Sequence, residues 1–423
     1  MKNKSWRKVL FFIIIAGFFI KLFYVFNMNN TILTFGDASD YDSAAMSLLN
    51  EHKFPISSSL SFFRAPFYPF FLSFLYIFSP QNYLMVKIVQ VLLITTTAYV
   101  LFKIAAIFFP VRTALIATAI FSLHPYFLLI TTDLQTETLF LFLTCISIYF
   151  LLKFRELKNK FKILFLSGLA IGCAILTRPV FIIFIPLAML WIFKIKTGFR
   201  FFLKASFILL FACCLILTPW IIRNHILFKE FIFCNDAGGY NFFIANSQEN
   251  YERLTTKDKS RFDYLNFKGL YVDKARKQIA LFEEKNNYSK LTPKSKERLW
   301  YMAGFSYIKN NKFQWFKLLF LKSWEYIRPY LHPMCYGRKE VVSSFFINTT
   351  IFLLGIAGLW SAFKDKKIRD YVLFFILYFV VFLIVHVVYI STNRFRIVFM
   401  DPYIYIYASY AVVKLIENKK RIT

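Results

Sequence analysis

The sequence predicts an all-α polytopic membrane protein, on three observations. Apolar residues make up 58% of the 423-residue chain and charged residues only 18%, against about a quarter charged in soluble domains. The apolar excess is gathered into runs near the roughly 20 residues that a helix needs to cross a bilayer. The positive charge, 52 Lys and Arg against 23 Asp and Glu, falls between those runs, where cytoplasmic loops carry it. Spread over loops rather than over one folded face, it does not make a nucleic-acid-binding surface.

Taken in order, the chain opens with MKNKSWRK and an apolar run at 9–28. No small-residue cleavage site follows, so the run is expected to stay as the first span. Further runs lie at 84–109, 111–130, 137–152, 163–177, 179–193, 203–224, 345–363, 371–390 and 397–416. The piece PFYPFFLSFLYIFS, 66–79, is too short for a comfortable crossing. Charge decides its treatment. With the first basic cluster inside, PVR, KFRELKNKFK, KIKTGFRFFLK, KDKKIRD and KLIENKKRIT all fall inside only if 66–79 does not cross. The expectation is a re-entrant or juxtamembrane helix, about ten spans, and both ends inside. The short pair 163–177 and 179–193 is expected to bend at Arg178-Pro179.

Three regions follow: an N-terminal membrane module at 1–224 with a first outer loop at 29–65, a hydrophilic outer block at 225–344, and C-terminal membrane helices at 345–423. The outer block is long enough to fold as a domain and reads as mainly helical. DKARKQIALFEEKNN has helical character, and TPKSKERLWYMAGFSYIKNN begins with a Thr cap and a first-turn Pro. KFQWFKLLFLKSWEYIRPYL has an aromatic stripe and is expected on or near the membrane surface. Cys234 and Cys335 bracket this block, where a disulfide is chemically feasible; Cys145, Cys173, Cys213 and Cys214 read as small packing residues inside spans.

In this topology one membrane face collects Asp37, Asp40, Asp42, Arg64, Asp133, Glu137, Arg178, Arg394 and Arg396. Asp37 follows Gly36 just past the first span. Asp133 and Glu137, four apart, share a face if the loop is helical; capping the next span is the alternative. Arg394 and Arg396 point the same way if extended. Arg suits phosphate oxygens, and snorkelling to lipid headgroups is the competing account. Acids beside arginines at a membrane face fit a reaction with an anionic, lipid-borne leaving group: a carboxylate takes a proton from an acceptor and Arg stabilises the departing phosphate. A transporter could use the same groups.

GDASDYDSAAMSLLN followed by FFRAPFYPFFLSFLY resembles the opening of bacterial membrane glycosyltransferases of the GT-C class, relatives of the dolichyl-phosphate-mannose protein mannosyltransferases and the aminoarabinose transferases. The matching positions are Gly36, Asp37, Tyr41, Ala45 and Leu48, then Arg64, Pro66, Tyr68 and Pro69. HPYFLLITTDLQTETLFLFL, ILTRPVFIIFIPL, LTPWIIRNHILFKEFIFCNDAGGYNFFIANSQEN and STNRFRIVFMDPYIYIYAS resemble later motifs of the class, in order.

The resemblance implies a GT-C-like bundle that moves a sugar from a polyprenyl-phosphate carrier such as undecaprenyl phosphate to an envelope glycan, lipid or protein. It implies inversion at the sugar and a site on the outer face of a bacterial inner membrane. Asp37 then stands at the base position, with Glu137 or Asp133 assisting. Arg64, Arg394 and Arg396, and more weakly Arg178, stand for the carrier phosphate, and Tyr68 lines the lipid cavity. Some members of the class use Mg²⁺ or Mn²⁺; the sequence shows no metal signature. The rivals are a flippase or secondary transporter, disfavoured because the charges sit at the boundary without a repeat, and an inactive relative.

Overall fold

Several helix ends in this chain are set by prolines and caps. The computed structural model describes residues 5–27, 36–55, 64–157, 161–195, 198–255, 284–285, 291–331 and 337–422. Among them there are helices and turns and no strand. Helix α1 (Ser5–Asn27) is followed by α2 (Gly36–Glu51), α3 (Phe67–Phe78) and α4 (Tyr83–Phe108). The Asn82 side chain caps α4 by accepting the Met85 N–H at 3.0 Å. Next come α5 (Val111–Leu123), α6 (Pro125–Leu129), α7 (Glu137–Glu156) and α8 (Phe161–Thr177).

A 3₁₀ turn, Pro179–Ile183, leads into α9 (Phe184–Phe193) and then α10 (Phe199–Phe228). The outer block contributes α11 (Gly238–Ala245), α12 (Gln248–Thr255), α13 (Pro293–Asn310) and α14 (Lys312–Ile327). The chain closes with α15 (Arg338–Phe363), α16 (Arg369–Val388), α17 (Asn393–Phe399) and α18 (Asp401–Ile422). The helix expected in DKARKQIALFEEKNN falls outside the described residues except at 284–285, and Cys335 falls outside them altogether. Cys234 is buried.

Two expected spans are broken, each at a proline. The run 111–130 stops at His124, extended at φ −69° and ψ 127°, and restarts as α6. Pro125 disfavours the helical region for its predecessor. The run 397–416 is split at Met400, with Pro402 in the first turn of α18, where its missing N–H costs nothing. The bend at Arg178-Pro179 is present, with Arg178 extended at φ −142° and ψ 106°.

Among the described residues, six helices are long and apolar enough to cross a membrane: α1, α4, α7, α10, α15 from Val341, and α16. α5, α8 and the 179–193 pair are shorter, and α18 ends in KLIENKKR, which lowers its apolarity. α3 has 12 residues, about 18 Å of helix. It cannot cross a core of about 30 Å, as its sequence length indicated.

Burial separates centre from rim. The most apolar window of α7 is 72% buried and that of α4 56%, against 22% for α1 and 17% for α15. α7 packs on α4 and α8, and α8 packs on α10. A Cβ at Gly168 would collide with the Leu209 carbonyl, so α8 and α10 touch through backbone. α15 and α18 approach as closely: a Cβ at Gly358 would strike the Tyr407 carbonyl oxygen.

In the outer block, α11 packs on α13, and α14 packs on α16 and α17. One face of α14 exposes Phe313, Phe316, Phe320 and Trp324 while Leu318, Lys322 and Tyr326 are buried on the other. That is the stripe expected of a helix lying against lipid. Lys322 ties the block to the end of α16. Its Nζ donates to the Ala245 carbonyl and Asn246 Oδ1, both at 3.2 Å, and to the Val388 carbonyl at 3.3 Å. Burial, reinforced by the nearby Arg253 charge, pushes this amine down to about 7.

Candidate active site

Three helix ends and a loop meet at one end of the bundle: the start of α2, the start of α7 with the loop before it, and the end of α8. The short α17 closes the group. The first cluster is built on α2. Arg64 Nη2 donates to Asp37 Oδ1 at 2.8 Å and to Asp40 Oδ2 at 2.7 Å, while Arg64 Nε donates to the same Asp40 oxygen at 3.1 Å. The Asp37 side chain stays 42% exposed and that of Asp40 only 14%. Arg64 therefore orients an accessible carboxylate through a less accessible neighbour. Asp37 also lies in the first turn of α2, the helix end that favours negative charge.

Asp42, one turn on, does something else. It is buried and accepts from Tyr76 Oη at 2.5 Å, Tyr83 Oη at 3.0 Å and Gln81 Nε2 at 3.2 Å. It clamps α2 to α3 and to the start of α4.

The second cluster is centred on Glu137, 1% exposed. Its Oε1 receives Arg178 Nη2 at 2.8 Å and also Arg394 Nε. Arg178 Nε donates to Thr136 Oγ1 at 2.8 Å, and Arg394 Nη2 donates to Gln135 Oε1. Two guanidinium charges thus face one carboxylate. Three buried polar atoms in this short loop have no hydrogen-bond partner: Asp133 Oδ2, Gln135 Nε2 and Glu137 Oε2. Burial holds the Asp133 carboxyl above its ordinary range, against the opposing Leu134 N–H bond and the charge of Arg394.

The two clusters are neighbours. Tyr41 lies within electrostatic reach of Asp37, Arg64, Arg178 and Glu137, and burial is the main cause that pushes its phenol up to about 12. Arg394 feels both Glu137 and Asp37. Residues separated by more than 350 positions therefore share one end of the molecule.

Sequence profiles and solved structures point the same way. Residues 64–222 match the dolichyl-phosphate-mannose-protein mannosyltransferase family. No curated protein sequence matches the chain. An oligosaccharyltransferase, AglB from Archaeoglobus fulgidus, in complex with an inhibitory peptide and a dolichol-phosphate, superposes with a TM-score of 0.58 at 12% identity. The match covers 96% of this chain and 50% of that one. The same organism's oligosaccharyltransferase, tethered to an acceptor peptide by a disulfide, gives a TM-score of 0.54 at 12% identity with the same coverage. The chain shares the fold of these oligosaccharyltransferases. It spans about half the length of these archaeal relatives.

Within this bundle, two residues expected at the site are placed otherwise than expected. Arg396 does not point with Arg394. α17 is helical, so neighbours two apart diverge by about 200° rather than aligning as in a strand. Arg396 Nε and Nη2 pair with Asp401 at 2.8 and 3.0 Å, and its Nη1 donates to the Ile327 and Arg328 carbonyls at 2.8 and 2.6 Å. It anchors the corner between α14, α17 and α18. Tyr68 is fully buried and donates to Gln90 Oε1 at 2.9 Å, so it braces the floor of the site rather than lining an open cavity.

Gln90 was not singled out from the sequence. Its Oε1 also accepts from Thr138 at 3.1 Å, and its Nε2 donates to the Asp133 carbonyl at 2.9 Å and the Thr131 carbonyl at 3.3 Å. It holds the 131–138 stretch from α4. The available signal was a lone amide in an apolar run, which inside a membrane is costly unless used. Gln135 was missed for want of charge.

Proposed function

We propose that this chain transfers a sugar from a polyprenyl-phosphate carrier to an acceptor in the cell envelope, at the outer face of a bacterial inner membrane. The observation that carries it is the pairing of an accessible carboxylate, Asp37, with a neighbouring cluster in which Arg178 and Arg394 outnumber Glu137. The surplus positive charge of that cluster suits the single negative charge of a sugar-linked phosphodiester. The family match over 64–222 and the shared fold with AglB support the reaction class.

In this reading the acceptor X–H attacks the anomeric carbon from the side opposite the carrier. The X–C1 bond forms as the C1–O bond to phosphate breaks, inverting the centre. The proton goes to Asp37, and the phosphate leaves with the bonding pair, its charge met by Arg394 and Arg178. Arg64 fixes the direction of Asp37. In this reading the sugar hydroxyls meet Asp133 and Gln135, whose buried atoms beside this cluster have no partner.

A divalent cation finds no ready set of ligands here. Among the described residues no group of three His, Cys, Asp or Glu is arranged to hold one, and Asp37, Asp40 and Glu137 already face guanidinium groups. No step is assigned to a metal.

The test is Asp37→Asn in purified protein supplied with membrane extract as donor and acceptor source. Transfer falls at least a thousandfold while thermal stability is retained. Turnover within tenfold of the wild type would overturn the assignment of the base.

A further inference from the structure

The far end of the bundle carries a second candidate binding site. Between α1, α5 and α18 runs a groove of about 410 Å³ lined by Val9, Ile13, Leu115, Ile116, Val413 and Ile416, with Ala119 at its floor. That volume lies in the range of small-ligand sites, about 300–1,000 Å³. Its only charged lining residues are Arg112 and Glu417. α5 packs against both α1 and α18 and forms the base of the groove. The walls, Val9 at 47% exposure and Ile416 at 51%, stay open to the lipid side.

Its distance from the first site follows from α18. Asp401 begins that helix seven residues after Arg394 of the first site, and Val413 to Glu417 come 12–16 residues later, about 18–24 Å along the axis. The groove therefore opens at the opposite membrane surface. That end is basic: Arg7 and Lys8 precede the groove on α1, Arg112 starts α5, and Lys419 follows on α18, all exposed, with Glu417 as the opposing charge.

An apolar slot between helices that ends in clustered cations has the chemistry of a phospholipid site: the chain packs in the slot and the phosphate meets the cations. We propose that this groove binds one acyl chain of an anionic glycerophospholipid, with its headgroup phosphate at Arg112. The lipid sits in the leaflet opposite the transfer site. A neutral lipid would fill the slot equally well but would forgo the charge. A packed partner helix would cover the slot without needing an anion. Charge thus distinguishes the occupant chosen here from both.

The experiment is lipid titration of the purified full-length chain, read by native mass spectrometry, with phosphatidylglycerol and phosphatidylcholine of identical chains. Phosphatidylglycerol should bind first and about fivefold or more tightly, the contribution of a single basic residue near a membrane surface. Arg112→Gln should erase that preference, and Glu417→Gln should enlarge it. Val9→Trp, at an exposed wall position, should block the first lipid of either kind, and an unshifted melting temperature would show that the helices still pack. Equal binding of the two lipids, a preference that survives Arg112→Gln, or a first lipid that survives Val9→Trp would each overturn the proposal. None of these readouts depends on sugar transfer, so the assignment of Asp37 stands or falls separately.

Discussion

At the scale of single residues, the same charge has opposite meanings at Asp37 and Glu137. Asp37 is accessible and partnered at one oxygen, so its ion pair is of the exposed kind, worth about 1 kcal/mol or less. Asp37→Asn should leave the melting temperature nearly unchanged while removing transfer. Glu137 is buried between two arginines. Glu137→Gln leaves them without a counter-charge, and breaking buried pairs costs on the order of 3 kcal/mol. Thermal unfolding in detergent should show that loss, with activity falling as a consequence of it; an unchanged melting temperature would mean that the arginines find another anion. Both acids were legible in the sequence because they stand in polar stretches beside apolar runs, on the face that the loop charges assign to one side. The directions of Arg394 and Arg396 were not legible, since they depend on whether STNRFR is extended or helical, and six residues alone do not decide that. Gln90 was hidden for the opposite reason: it carries no charge, and its four bonds run to residues on three other segments.

At the scale of elements, the two runs that the structure breaks are broken beside a proline, whereas Pro219 stays inside the unbroken α10. His124-Pro125 and Met400, just before Asp401-Pro402, each break a run that composition alone extends. Periodicity sees apolar residues on both sides of such a break and joins them. The outer block is pinned to the bundle at Lys322, and this contact has a measurable signature. The folded amine sits near 7 and the unfolded one at its ordinary 10.5. Between those values the unfolded chain binds more protons, so stability rises with pH across the window. Unfolding of the wild type should therefore move to higher temperature from pH 7 toward 10, and Lys322→Met should flatten that rise. An identical slope in the variant would place the titration elsewhere. Gly358→Leu is expected to be more damaging than either change, because α15 and α18 touch backbone to backbone there. Loss of the folded peak in gel filtration would register it.

At the scale of the whole molecule, counting charges between apolar runs was enough to hold 66–79 back from crossing, and the structure makes that segment a 12-residue helix. This matters because one extra crossing would place Asp37 and Arg394 on opposite faces. They lie instead in one electrostatic neighbourhood. Single cysteines at 37 and 394 should label with an impermeant thiol reagent from the same side of oriented vesicles, and a cysteine at 112 from the other. Labelling of 37 and 394 from different sides would dismantle the site. What composition could not reveal is which helices are central. α1 is among the most apolar spans yet lies at the rim, while the less apolar α7 is the most enclosed, because lipid tolerates apolar surface as readily as protein does.

The double grip on Glu137 confers redundancy. If either Arg178 or Arg394 is replaced alone, the other still neutralises the carboxylate, and the fold survives a modest loss. If both go, a bare anion is stranded in a dry interior. The two lesions together should therefore exceed their sum, a synergy that a double-mutant cycle would read as a large coupling energy between residues 216 positions apart.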